Sequence, residues 1–131
     1  MSDAEQPRAK PEKSGKPGAR GVATQVLLRV ADEGAYASRA LDAELARAEL
    51  SSLDSGLATE IVYGALRVLP ELDEGIARYV TRDPARMDPF VRAALRAAAY
   101  QLAHLGRVPA HAVVDETVSL VRAKRGVKLA G

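Results

Sequence analysis

The sequence predicts an all-α protein, and three of its features lead to that expectation. Apolar residues recur every three or four positions, as on the buried side of a helix, and no run alternates as a half-exposed strand would. Only 4% of the residues are aromatic against 47% hydrophobic, so the core must be built from Ala, Leu and Val, which suits close-packed helices. Gly, Pro and capping residues divide the chain into about six segments. We therefore expect a bundle of about six helices in one domain.

Helix boundaries in the first half follow from capping residues. The first predicted helix covers Ala19–Glu33 and ends before Gly34. Ser38 is the predicted N-cap of the second helix. Ser51, with Asp54 three residues later, resembles a capping box at the start of the third.

Gly64 lies inside the third predicted helix. A glycine there costs about 1 kcal/mol relative to alanine, so its presence predicts the close approach of another helix. Pro70 is suited to the start of a fourth helix. Asp88 and Pro89 are suited to the N-cap and first position of a fifth.

The rest of the fold is expected to pack on a helical hairpin over residues 91–121. Gly106 is predicted to close its first helix in a left-handed conformation, and Pro109 to lie in the first turn of its second. Apolar residues at helical spacing predict which side of each helix is buried. The predicted core comprises Leu27, Leu41, Leu45, Leu57, Ile61, Leu95, Leu102, Val114 and Val118.

Charge and composition set the N-terminal segment apart. Residues 1–18 are rich in Pro, Lys, Gly and Glu, and we expect them to be a disordered basic tail before a domain at 19–131. The net charge of +2 resides entirely in residues 1–20, which favours an anionic partner or, equally, a solvating leader. No segment is apolar enough to cross a bilayer, so we expect no membrane partner and a cytoplasmic location.

Catalytic chemistry finds little support in the residues. The chain has no cysteine, which excludes thiol catalysis and thiolate metal sites within it. His111 and Asp115 are one helical turn apart, but two ligands do not make a metal site, so we expect none. No Gly-rich loop joins a strand to a helix, and we therefore expect no nucleotide or other cofactor in this chain.

Binding is the function class that remains. Arginine suits bidentate contacts with phosphate, although any single surface cation is more simply a solubilising residue. The four tyrosines could stack on unpaired bases or serve as core residues with a hydrated hydroxyl. The candidate RNA-binding residues are Lys13, Lys16, Arg20, Arg67, Arg92, Arg96, Arg107, Arg122, Lys124 and Arg125.

Two stretches carry a resemblance to a known family. LATEIVYGALR (residues 57–67) and RAALRAAAYQLAHLGRVPAHAVVDETVSLV (residues 92–121) resemble NusB-type domains. The phrases YQL at 100–102 and RVPAHA at 107–112 are more similar to the N-terminal domain of RsmB-type (Sun/Fmu) 16S rRNA cytosine-C5 methyltransferases. The resemblance covers about residues 19–131.

The resemblance implies a helical RNA-binding domain in two halves, with rRNA as its partner. It also implies a parent enzyme whose catalytic domain uses S-adenosylmethionine. Methylation at cytosine C5 requires a thiolate to add at C6, so a chain without cysteine should not itself be catalytic. The alternatives are a stand-alone NusB-type antitermination factor that binds RNA with a ribosomal protein, and a helical protein-interaction module.

The resemblance also implies that the family's final helix and catalytic domain lie beyond this chain. We therefore expect residues 124–131 to fray. A helix face left uncovered should contact the parent's catalytic domain or promote self-association.

Overall fold

The protein is a bundle of six α-helices in a computed structural model that describes residues 17–80, 83 and 86–125, without the Arg125 side chain. The helices are α1 (Ala19–Glu33), α2 (Ala37–Ala48), α3 (Ser52–Arg67), α4 (Leu69–Tyr79), α5 (Pro89–His104) and α6 (Ala110–Arg125). No strand occurs in the described ranges, and the predicted fold class is confirmed. The expected disorder of the tail and most of the expected fraying concern residues outside those ranges.

Helix α1 occupies the centre of the bundle. It packs against α2, α3 and α5, and more lightly against α6. Val22, Ala23 and Val26 are completely buried in it, because small and β-branched residues every three or four positions allow neighbouring helices to approach. Helix α6 packs chiefly on α5, so it lies at the edge of the bundle.

Several predicted helix boundaries are confirmed. Gly34 ends α1 in the left-handed conformation, with φ at 70°. The Ser51 hydroxyl accepts the backbone N–H of Asp54 at 3.1 Å. The Asp88 carboxylate caps α5 through two backbone N–H groups, and Pro89 is the first residue of that helix. These residues satisfy donors that a helix N-terminus leaves free.

Three boundary predictions are wrong in detail. Ser38 lies within α2, whose N-cap is Tyr36 without a side-chain hydrogen bond. Gly106 does not have positive φ; α5 ends through Leu105, with φ at −112° and ψ at 77°. Pro109 precedes α6, where its carbonyl accepts the first helical N–H bonds. Leu105 and a tight turn, in which the Val108 N–H donates to the Leu105 carbonyl at 3.0 Å, replace the expected glycine cap.

The predicted core is correct in the first half of the chain. Leu27, Leu41 and Ile61 are buried. Leu45 and Leu57 are partly buried and packed against the core.

In α5 and α6 the predicted buried face is wrong. Leu102 and Val114 are each 50% exposed, Val118 is 40% exposed, and Leu95 is only partly buried. The face that is buried instead is formed by Ala94, Ala97, Gln101 and Val113. The observed buried face is shifted from the predicted one by about one residue, which is a rotation of about 100° around the helix axis. Alanines allow α5 to approach α1 closely, and this proximity outweighs the larger apolar area that the leucines would bury.

The close approach predicted at Gly64 is confirmed. A Cβ atom there would overlap the Tyr100 ring and hydroxyl. Tyr100 is 4% exposed and its ring stacks on His104 with centroids 5.0 Å apart. Tyr100 is therefore a core residue, whereas Tyr36 and Tyr79 are largely exposed.

Candidate nucleic-acid interface

The candidate cations do not form a single patch. Lys13, Lys16 and the Arg125 side chain lie outside the described part of the molecule. The other seven are distributed over α1, α3, α5, the α5–α6 turn and α6, as Arg20, Arg67, Arg92, Arg96, Arg107, Arg122 and Lys124.

Arg20 has a structural role. Its side chain is 16% exposed, its Nε donates to Gln101 Oε1 at 2.6 Å, and its Nη1 pairs with Glu116 at 2.7 Å. Gln101 is itself buried and donates to the Ala97 carbonyl. Arg20 therefore joins α1 to α5 and α6, and its guanidinium is already engaged by protein acceptors.

Arg96 is also engaged in an internal contact. Its side chain is 13% exposed and donates two hydrogen bonds, at 2.8 and 2.7 Å, to the Asp73 carboxylate. The pair links α5 to α4. Arg92, one turn earlier, is half-buried and has a contact of its own. Both arginines of α5 are therefore already engaged in contacts.

Two cations project from the last turns of α6. Arg122 and Lys124 are exposed, and the Lys124 Nζ lies 5.6 Å from the centroid of the Phe90 ring. The start of α1 is close to the same helix, since a Cβ atom on Gly18 would contact Glu116, and one on Gly21 would contact Leu120.

The start of α1 therefore lies beside the middle of α6, next to Glu116. We call the two exposed cations in the last turn of α6, Arg122 and Lys124, the basic end.

A second group of candidates lies between α3 and α5. Arg107 pairs with Glu60 at 2.8 Å, and both side chains are well exposed. Arg67 is exposed at the last position of α3. Tyr63, one turn before it, is 41% exposed. We call Tyr63, Arg67, His104 and Arg107 the α3–α5 face.

Other chemistry finds little structural support within the described ranges. His111 and Asp115 are both exposed on α6. No group of three or more potential metal ligands occurs among the residues searched. None of the described helices has the length and apolarity to cross a membrane.

Sequence reasoning missed the partners of Arg20. Gln101 and Glu116 are 81 and 96 residues away along the chain, and no local spacing connects them. The hydrogen bond from Arg20 does explain one feature visible in the sequence, a glutamine on the apolar side of α5. A buried amide must find a partner, and here it accepts from an arginine.

Comparison with known proteins gives this geometry a context. A profile of the NusB family matches residues 17–131. The probable ribosomal RNA small subunit methyltransferase B of Bacillus subtilis is 30% identical over 114 residues, which are 86% of this chain and 25% of that protein. The transcription antitermination protein NusB of Halorhodospira halophila is 33% identical over 104 residues, which are 79% of this chain and 66% of that protein.

The fold is similar to that of a solved NusB. A crystal structure of the antitermination factors NusB and NusE with double-stranded RNA superposes with a TM-score of 0.79. The match covers 86% of this chain and 84% of that one at 23% identity. The likeness confirms the helical bundle. The chain spans about a quarter of the length of the methyltransferases that it matches.

Proposed function

The chain belongs to the NusB family, and on that premise we propose that it is the RNA-binding accessory domain of an rRNA cytosine-C5 methyltransferase. The observation that carries the proposal is the match to methyltransferases of which the chain spans about a quarter. In this proposal residues 19–131 form the accessory domain, and a catalytic domain elsewhere in the parent protein binds S-adenosylmethionine. The accessory domain holds rRNA and leaves the chemistry to that domain.

The basic end supports RNA binding at α6. Arg122 and Lys124 are exposed cations, and the sequence carries two more, Lys13 and Lys16, ahead of α1. A small number of clustered cations can contact only a few phosphates, so binding should be weak and dependent on salt. Arg20 contributes indirectly, because it holds α1 against α6.

A second candidate function is that of a stand-alone antitermination factor. The similarity to the NusB of Halorhodospira halophila favours it, since the chain covers a larger share of that protein than of the methyltransferases. The gene sequence beyond codon 131 separates the two candidates. A Gly-rich strand–turn–helix segment followed by Pro-Cys motifs would support the methyltransferase, and an early stop codon would support the antitermination factor.

A salt titration of RNA binding tests the proposal. Fluorescence anisotropy with labelled 16S rRNA fragments should give saturable binding at low salt. Lys13→Gln/Lys16→Gln and Arg122→Gln/Lys124→Gln should each lower the affinity and flatten the dependence of log K on log salt.

Arg39→Gln is the matched control, because Arg39 is exposed on α2. Failure to bind any structured rRNA fragment at low salt would contradict the proposal. An unchanged slope in the charge variants would exclude the basic end as the contact.

Two further partners belong to the same proposal. Leu102, Val114 and Val118 form exposed apolar surface on α5 and α6, which suits a contact with the parent's catalytic domain. In this chain alone, the same residues favour association between copies.

A further inference from the structure

We propose that the α3–α5 face, formed by Tyr63, Arg67, His104 and Arg107, is a second RNA contact that binds single-stranded bases. The proposal rests on the RNA-binding function proposed above and adds a site apart from the basic end. It lies on the side of α5 that packs against α3, whereas the basic end involves α6.

The first support is the arrangement of the side chains on α3. Glu60, Tyr63 and Arg67 are three and four residues apart, and therefore lie on the same side of that helix. Gly64 lies among them and contacts Tyr100. Glu60 pairs with Arg107 across the gap to the α5–α6 turn. The Gly64–Tyr100 and Glu60–Arg107 contacts together fix the position of α3 along α5.

The second support is the presence of aromatic rings at the surface. Tyr63 is 41% exposed, and the exposed His104 ring stacks on the buried Tyr100 ring with an interplanar angle of 20°. The contact with Tyr100 holds the imidazole in a fixed plane. Exposed, oriented rings provide stacking surfaces that any unpaired base can use.

The third support is the placement of the cations. Arg67 is exposed, and none of the described residues forms an ion pair with it. Arg107 is held by one contact from Glu60, while its 68% exposed side chain retains donors for a phosphate. Nearby, Arg96 is neutralised by Asp73.

The surplus positive charge of the face is therefore small, so its contacts should be dominated by stacking. Duplex RNA keeps its bases paired and stacked, and its recognition relies on phosphate and 2′-hydroxyl contacts. We therefore expect this face to prefer single strands. Among the described residues of this face, Tyr63 is the one exposed large hydrophobic side chain, and it is only 41% exposed, which argues against a protein-docking surface.

The experiment measures binding of the 131-residue chain to a fluorescein-labelled single-stranded RNA of mixed sequence and to the same strand in a duplex. Tyr63→Ala should lower affinity for the single strand at least about fivefold, with no change in salt slope. Arg67→Gln should lower affinity and flatten the slope by about 0.7. Duplex binding should change little in either variant. Tyr63→Phe should retain single-strand affinity, because it keeps the ring.

Tyr79→Ala and Arg39→Gln are matched controls at exposed positions on α4 and α2. If the unmodified chain binds single-stranded RNA and both face variants match these controls, the α3–α5 face is not an RNA contact, and the proposed function still stands. If the unmodified chain binds no RNA, both proposals fall. Amide shifts at residues 60–67 and 100–107 during an NMR titration would support the face independently, and shifts confined to α6 would contradict it.

Discussion

Two glycines of α3 show how much depends on the surroundings of a single residue. Gly64 leaves room for the Tyr100 ring, whereas nothing lies within 4 Å of a Cβ atom placed on Gly56. Both residues carry the same conformational cost in a helix, yet only one has a packing function.

Gly64→Ala should therefore destabilise the protein by about 1–3 kcal/mol, because the added methyl overpacks a buried contact. Gly56→Ala should stabilise it by up to about 1 kcal/mol through the reduced entropy of the unfolded chain. Urea denaturation of both variants measures the difference. Equal stability of the two would show that the Tyr100 ring can move aside at no cost.

The buried face of α5 and α6 leads to a second prediction at the residue scale. Leu102→Ala should cost less than about 1 kcal/mol, because its side chain is half exposed. Ile61→Ala, at a completely buried site, should cost about 2–5 kcal/mol. Comparable losses of stability in the two variants, by thermal or urea denaturation, would show that Leu102 is buried, as the spacing of large residues predicted.

At the scale of elements, α6 is held to the bundle by α5 and by the contact of Arg20 with Glu116. Glu116→Ala should cost about 1–3 kcal/mol, since it removes an acceptor from a largely buried guanidinium. Glu60→Ala breaks the exposed pair with Arg107 and should cost at most about 1 kcal/mol.

Hydrogen exchange of α6 amides provides the more specific measurement. Protection in α6 should fall in Glu116→Ala and remain unchanged in Glu60→Ala. A uniform loss of protection across all helices would argue against a local joint at Arg20.

Sequence patterns predicted those elements well where the signal is local. Capping at Ser51 and Asp88 and the end of α1 at Gly34 depend on residues near each other in the chain. The close approach at Gly64 could be predicted from the glycine itself, but its partner Tyr100 is distant in the chain. The buried face of α5 could not be predicted, because the choice between an alanine side and a leucine side depends on which neighbour packs there.

The same limit applies to the candidate interface. Arginines could be identified as binding candidates from the sequence, but Arg20 and Arg96 proved to be engaged by protein partners far along the chain. Arg67 and Arg107 remain well exposed.

At the scale of the whole molecule, the exposed apolar residues of α5 and α6 predict self-association. Sedimentation velocity of the 131-residue chain should show a concentration-dependent increase in mass. Leu102→Lys/Val118→Lys should abolish it with little change in melting temperature, because both side chains are 40–50% exposed.

Leu53→Lys is the matched control, since Leu53 is 83% exposed at the start of α3. If the unmodified chain stays monomeric at the highest concentration it tolerates, or if the control is equally effective, this surface does not drive association.

The space above Gly64 has a geometric consequence for the surface. The neighbours of Gly64 along α3, Tyr63 and Ala65, carry side chains, so the Tyr100 ring fits against this part of the helix only at Gly64. A slide of α3 by one residue would bring a Cβ atom against the ring and draw Glu60 away from Arg107. Gly64 thus sets the register of α3 against α5, and through that register it positions the exposed Glu60 beside Arg107.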